Sequence, residues 1–151
     1  MLQARDALVG TWKLVSATET TGEGDVKDAF GKNATGFLTY TADGRMTGII
    51  SHGGRKPLSA PDFAGAPAAE RAEAFSTFAA YAGKYSFSGD KVTHHVEAAS
   101  LQNWVNTDLV RIARFEGNRL ILRTTQYLKA GVMITAQLVW ERITDGMKTV
   151  S

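Results

Sequence analysis

Two adjacent histidines are the first residues of this chain whose types and positions could do chemistry. His94 and His95 lie in a strand-like run, so their side chains leave opposite faces and cannot share one metal ion. His94 lies on the same face of the strand as Val92 and Val96, and such apolar neighbours are typical of a covered face. A histidine that faces an internal cavity could act as an acid or base near neutral pH. The alternative is a core or rim histidine that is hydrogen-bonded to a neighbouring hydroxyl.

An arginine in apolar surroundings is the second candidate. Arg111 lies within the run Leu109–Ala113, where a charge needs a partner or a water-filled cavity. If the Arg111 side chain points inward, its guanidinium N–H groups could bind a carboxylate or enolate oxygen. Pointing outward, it would lie along the wall of the sheet. Arg123 and Gln137 carry the same ambiguity.

Aromatic side chains with polar tips could form the walls of a mixed pocket or simply fill a core. They are Tyr40, Tyr81, Tyr85 and Trp104. The set predicted to line one cavity of about 300–1,000 Å³ and to bind a ligand is Tyr40, Tyr85, His94, Trp104 and Arg111. If the protein is an enzyme, His94 and Arg111 are its predicted catalytic residues. His52 lies among glycines and a lysine and is expected to be exposed to solvent.

Several kinds of site are not indicated by the sequence. Zero cysteines exclude a thiol nucleophile and Cys-ligated metal, and no nucleophile elbow, phosphate loop or metal-ligand spacing occurs. We therefore expect no metal and no cofactor. A net charge of +2 with scattered Lys and Arg does not favour nucleic-acid binding. The polar N-terminal residues and the lack of a long apolar run predict a cytoplasmic protein with no membrane partner. The expected oligomeric state is a monomer or a homodimer.

The elements that must position these residues are mostly short strands joined by tight turns. We predict eight strands, with turns at Asp43–Gly44, Gly89–Asp90, Gly117–Asn118 and Ala130–Gly131. The strands are 9–18, 36–41, 45–51, 84–88, 91–99, 108–116, 119–127 and 132–143. In the first, Trp12, Leu14 and Ser16 share one face, and a rim loop over 19–33 follows it.

One helix interrupts the strands. Small and aromatic residues at spacings of three and four predict it over Pro67–Ala82, with Phe75 and Phe78 facing inward and Gly83 as its C-terminal cap. The 151 residues are enough for one domain. We predict an all-β fold, an eight-stranded antiparallel up-and-down barrel with one mid-chain helix. Its core is 8–143, and 145–151 is a frayed tail.

The chain also resembles a known family. Gly10, Thr11 and Trp12 resemble the GxW motif of the lipocalin and calycin superfamily. The order and spacing of further motifs resemble the bacterial lipocalin-like domain family over residues 8–143. These are GTWKLVS, the 36–46 hairpin, Tyr81 to Tyr85, Val92 to Glu97, Arg111 and Gly117 to Leu122. The resemblance implies that Arg142 lies over Trp12 as a structural closure of the barrel.

Three functions remain open. The first is binding of a small, largely apolar, oxygenated molecule in the lumen. The second, allowed by the resemblance, is a cofactor-free isomerase or cyclase that uses acid–base chemistry on a small biosynthetic intermediate. The third is a structural or interaction domain with a filled core. Cavity volume separates the third from the others.

Overall fold

Alternating side chains and tight turns bring ten strands into one sheet that closes on itself. The computed structural model describes residues 2–144. The helices are α1 (Leu2–Leu8), α2 (Ala68–Ser76) and a 3₁₀ helix (Gln102–Trp104). The strands are β1 (Gly10–Thr21), β2 (Val26–Asp28), β3 (Thr35–Tyr40), β4 (Arg45–Ser51), β5 (Phe78–Ser88), β6 (Lys91–Ala99), β7 (Asp108–Glu116), β8 (Arg119–Thr124), β9 (Tyr127–Lys129) and β10 (Val132–Arg142).

The barrel consists of eight antiparallel strands, as predicted. They follow one another in the order β1, β3, β4, β5, β6, β7, β8 and β10, and β10 pairs with β1 to close the ring. The short strands β2 and β9 extend β1 and β10 at the end where Thr20 pairs with Thr135. At the opposite end, Trp12 pairs with Arg142. The four predicted turns all lie between neighbouring strands.

The end near Trp12 is closed by packed side chains and by α1. Trp12 and Leu8 are fully buried, and the Trp12 indole Nε1 donates to the Leu8 carbonyl at 2.9 Å. The Arg142 guanidinium carbon lies 4.2 Å from the Trp12 ring centre. Arg142 also donates to the carbonyls of Ala7 and Val9, the latter at 2.7 Å. Within the described residues, the last strand, β10, is thereby joined to the first helix, α1.

An unpredicted bulge in β1 changes which residues face the interior. The pairing with β10 shifts between Leu14 and Ser16, where Val15 is the extra residue. Ser16 is therefore exposed, and the prediction that it shares the face of Trp12 is wrong. After the bulge Ala17 and Glu19 are buried. Because β1 continues to Thr21, the predicted rim loop begins later than expected and contains β2.

The predicted mid-chain helix is too long. It ends at Ser76, and the chain from Phe78 pairs with β4 as strand β5. Tertiary pairing with an open strand edge outweighs the helical spacing of the alanines in 79–82. Phe75 is 52% exposed and Phe78 lies half-buried on β5, so the expectation that both face inward from a helix is wrong.

Gly83 is not a helix cap but a residue within β5. A Cβ there would lie 1.9 Å from the backbone oxygen of His95, so only glycine allows β5 and β6 to approach at this irregularity in their pairing. The predicted strand over 119–127 is divided into β8 and β9. The predicted frayed tail, 145–151, lies outside the described residues.

Candidate functional site

A cavity of about 820 Å³ fills the half of the barrel opposite α1. Beneath it the interior is packed solid by large side chains such as Trp12, Tyr40 and Met46. The walls are mostly apolar and include Leu38, Ile50, Leu109, Leu122, Leu138 and Trp140. A lumen of this volume is in the range of small-molecule sites, and it excludes the alternative of a completely filled core.

His94 is at the floor of this cavity, on the inward face of β6. Its side chain is almost fully buried, as are those of Val92 and Val96, so the predicted alternation of this strand is confirmed. His94 Nε2 lies 2.6 Å from the Tyr40 hydroxyl, and Nδ1 lies 2.7 Å from the Tyr81 hydroxyl. Both ring nitrogens are thus occupied.

Burial keeps the His94 imidazole neutral. Desolvation, helped by the positive charge of Arg111 and by His95, lowers the His94 pKa to about 3. A neutral imidazole donates from one nitrogen and accepts at the other. One tyrosine hydroxyl therefore donates to His94, and the other accepts from it.

Tyr81 is the site residue that the sequence analysis did not select for the binding set. It lines the cavity from β5, and its ring lies edge-on to Trp104 with centres 5.7 Å apart. Burial raises the pKa of Tyr81, and the charge of the nearby Arg111 opposes this rise. The alternation of Tyr81 with Gly83 and Tyr85 was a signal for an inward face. The overlong helix concealed it.

Arg111 lines the same cavity from β7 and is half-buried. Its Nη1 donates to the Val110 carbonyl at 3.1 Å. Among residues 2–144 no carboxylate forms a salt bridge with it. The inward orientation left open by the sequence is the one found, and the guanidinium is a cation within the lumen beside Tyr81.

Trp104 also lines the cavity, from the 3₁₀ helix between β6 and β7. Tyr40 and Tyr85 do not. They belong to the packed floor, with ring centres 4.8 Å apart, and the Tyr85 hydroxyl donates to the Thr41 carbonyl. The expectation that these two tyrosines line the lumen is therefore corrected. Tyr40 reaches the site only through its hydrogen bond with His94.

The remaining candidates lie outside the polar cluster of Tyr81, His94 and Arg111. His95 is on the outer face of β6, 2.7 Å from Asp108. Arg123 and Gln137 are exposed beside a depression on the outer wall. His52, expected to be exposed, is half-buried in the cavity wall with its ring edge-on to Phe30.

A buried carboxylate in the cavity wall was missed altogether. Glu19 lies on the inward face of β1 and is 3% exposed, and the Lys129 ammonium pairs with its Oε1 at 2.5 Å. The bulge at Val15 turns Glu19 inward, so simple alternation from Trp12 could not have placed it.

The described part of the chain holds no group of three His, Cys, Asp or Glu residues that could bind a metal ion. None of its helices is long and apolar enough to cross a bilayer.

A closed barrel with a packed floor and an apolar lumen defines a lipocalin-like fold, an architecture suited to holding one small ligand. The chain belongs to the lipocalin-like domain family, whose sequence model matches residues 9–143. A lipocalin-like protein from Bacteroides uniformis has a similar solved structure, with 12% sequence identity, a TM-score of 0.48, and coverage of 91% of this chain and 99% of that chain. No curated protein matches the chain.

Proposed function

We propose that this protein binds a small, largely apolar, oxygenated molecule in the barrel lumen. The observation that carries the proposal is the combination of a largely apolar cavity of about 820 Å³ with Arg111 in its wall, a cation that forms no salt bridge among residues 2–144. The apolar surface supplies affinity by excluding water from the ligand. Arg111 and the Tyr81 hydroxyl supply orientation by binding an acceptor oxygen, a carboxylate or a carbonyl, at the cavity floor.

The test uses 2-naphthoate, an apolar body with one carboxylate, and follows quenching of tryptophan fluorescence, since Trp104 and Trp140 both line the lumen. We expect saturable binding that Arg111→Met weakens by at least about tenfold, because a hydrogen bond to a charged group contributes about 1.5–3 kcal/mol.

A matched pair of variants on β10 locates the binding. Ala136 lines the cavity and is buried, whereas its neighbour Gln137 is exposed on the outer wall. Ala136→Phe should occupy lumenal volume and abolish binding, and Gln137→Phe should leave it unchanged. Circular dichroism checks that both variants are folded. Binding that is indifferent to Ala136→Phe, or no binding at all, contradicts a lumenal ligand site.

The polar cluster of Tyr81, His94 and Arg111 favours a second candidate, a cofactor-free isomerase or cyclase. Arg111 and Tyr81 together could stabilise an enolate oxygen. A histidine with a pKa of about 3 is a weak base at neutral pH, however, which places binding first. The test is deuterium exchange at the α-carbon of 2-tetralone in D₂O. If the protein exchanges deuterium faster than buffer alone, and Tyr81→Phe slows this exchange, the enzyme function is supported. Exchange at the rate of buffer alone would count against it.

A further inference from the structure

Two residues that line the cavity each have a buried polar side-chain atom with no hydrogen-bond partner among residues 2–144. These atoms are Glu19 Oε2 and Trp140 Nε1. Buried polar atoms in folded proteins are nearly always satisfied, because leaving one unpaired costs about 1–3 kcal/mol. An unpaired atom in the wall of a binding cavity is therefore where a ligand group is expected.

Glu19 is the stronger of the two observations because its other oxygen is already used. Lys129 pairs with Oε1 from the mouth of the barrel, where its side chain is half-exposed, while Glu19 itself is 97% removed from solvent. The ion pair compensates the carboxylate charge, so a second cation is not required. What remains is one acceptor oxygen, Oε2, which suits a neutral hydroxyl or N–H donor.

Strand register relates Glu19 to Arg111. Glu19 pairs with Ala136, and the Ala136 amide donates to Thr124 Oγ1 at 2.9 Å on the next strand. Thr124 in turn pairs with Arg111. The four residues form one row across β1, β10, β8 and β7, and all four line the cavity.

This row sets the distance between the two polar ends. Three strand spacings of about 4.8 Å separate the Glu19 and Arg111 backbones along the wall, and the gap across the lumen is shorter because both side chains extend inward. Both side chains belong to the lining of this one cavity. One small molecule can therefore reach both residues.

We propose that Glu19 Oε2 is a second recognition point of the lumen, which accepts a hydrogen bond from a hydroxyl or N–H group of the ligand. The ligand is then an apolar molecule with an acceptor oxygen at its Arg111 end and a neutral donor at its Glu19 end. This inference rests on the proposed function. It narrows the ligand class to bifunctional molecules such as aromatic hydroxy acids.

The test compares three naphthoates that differ at one position: 6-hydroxy-2-naphthoate, 6-methoxy-2-naphthoate and 2-naphthoate. Only the first has a donor at the end opposite the carboxylate. We expect wild-type protein to bind it at least about tenfold more tightly than either of the others, since its hydroxyl would bond a charged acceptor. Comparison with both controls separates the loss of a donor from the bulk of the methyl group.

Glu19→Gln should reduce the hydroxyl preference to less than about threefold while 2-naphthoate still binds. The matched control is Glu23→Gln, at an exposed glutamate in the turn after β1, which should leave the preference unchanged. If Glu19→Gln does not fold, Glu19→Leu removes the buried charge with similar volume and takes its place.

The outcomes distinguish the two proposals. Tight 2-naphthoate binding with no hydroxyl preference, or a preference that survives loss of the Glu19 carboxylate, overturns the Glu19 site and leaves lumenal binding intact. Absence of lumenal binding of all three probes overturns both proposals.

Discussion

His94 illustrates how a residue's chemistry depends on what surrounds it. Strand alternation predicted that His94 faces inward and His95 outward, and both do. What alternation could not show is that two tyrosine hydroxyls occupy both His94 nitrogens and that burial keeps the ring neutral. The inward face of a strand follows from sequence parity. The partners of a side chain on that face come from other strands.

This environment makes stability depend on pH through His94. The folded pKa is about 3, below the unfolded value of about 6.5, so the unfolded chain binds the proton first as pH falls. The contribution of neutral His94 to the free energy of unfolding is fully present above pH 6.5 and is lost as the pH falls toward 3. From pH 6.5 to 4.5 we expect His94 to lower the free energy of unfolding by about 2 kcal/mol.

Urea denaturation of wild type and His94→Gln at these two pH values measures the effect. The variant is expected to lack this part of the pH dependence. The matched control is His95→Gln, which changes the neighbouring half-exposed histidine and should retain it. Equal pH dependence in wild type and His94→Gln would show that His94 is not protonated preferentially on unfolding.

At the scale of elements, α1 and the end of β10 form one closure. Arg142 stacks on Trp12 and donates to two carbonyls at the C-terminal end of α1, where a cation also complements the helix dipole. Helix α1 was not predicted, since a seven-residue segment has little helical stability without tertiary contacts. The contacts of Leu8 and Arg142 supply them.

Arg142→Ala is expected to lower the free energy of unfolding by about 2–4 kcal/mol, from the loss of a cation–π contact and two charge-assisted hydrogen bonds. Arg142→Lys should recover only part of this loss, because a lysine cannot donate in a forked geometry. Urea denaturation gives the stabilities, and 2-naphthoate titration should show unchanged affinity, since the closure lies at the far end from the cavity. A loss of binding equal to the loss of stability would argue against this separation.

The boundary between α2 and β5 shows where local pattern fails. Residues 79–82 are alanines and a tyrosine whose spacing suits a helix, yet they pair with Thr47–Ile50 of β4. This one misplaced boundary also hid Tyr81 from the predicted site. Helix propensity differs by fractions of a kcal/mol per residue, whereas an unpaired strand in the barrel wall would leave a whole row of backbone groups unsatisfied.

The whole molecule is asymmetric along the barrel axis. One end is packed by Trp12, Tyr40 and Met46, and the other holds the cavity and the three-residue strands β2 and β9, whose side chains are all exposed. Few apolar contacts protect such short strands, so they belong to the parts of a fold that open locally at low cost.

Native-state hydrogen exchange should therefore separate the two ends. We expect amides of β3 and β4 near Tyr40 and Met46 to exchange only through global unfolding. Amides of β2 and β9 are expected to exchange orders of magnitude faster, and a lumenal ligand such as 2-naphthoate should slow exchange around the cavity more than at the closed end. Uniform protection along the barrel would contradict this division.

The sequence by itself determined the architecture of the barrel. Period-two alternation and the Gly-containing turns were sufficient to predict an eight-stranded barrel, because these signals are local and recur along the chain. The resemblance to the lipocalin-like family implied that Arg142 lies over Trp12. Alternation likewise placed His94 inward.

Only the tertiary structure decided which residues form the site. A bulge at Val15 turned Glu19 into the lumen, pairing with β4 brought Tyr81 beside His94, and packing depth placed Tyr40 and Tyr85 below the cavity rather than in its wall. Arg111 could have faced either way by sequence alone. Each of these outcomes depends on contacts between residues that are far apart in the sequence. A single sequence shows the pattern within each strand but not the register in which neighbouring strands pair.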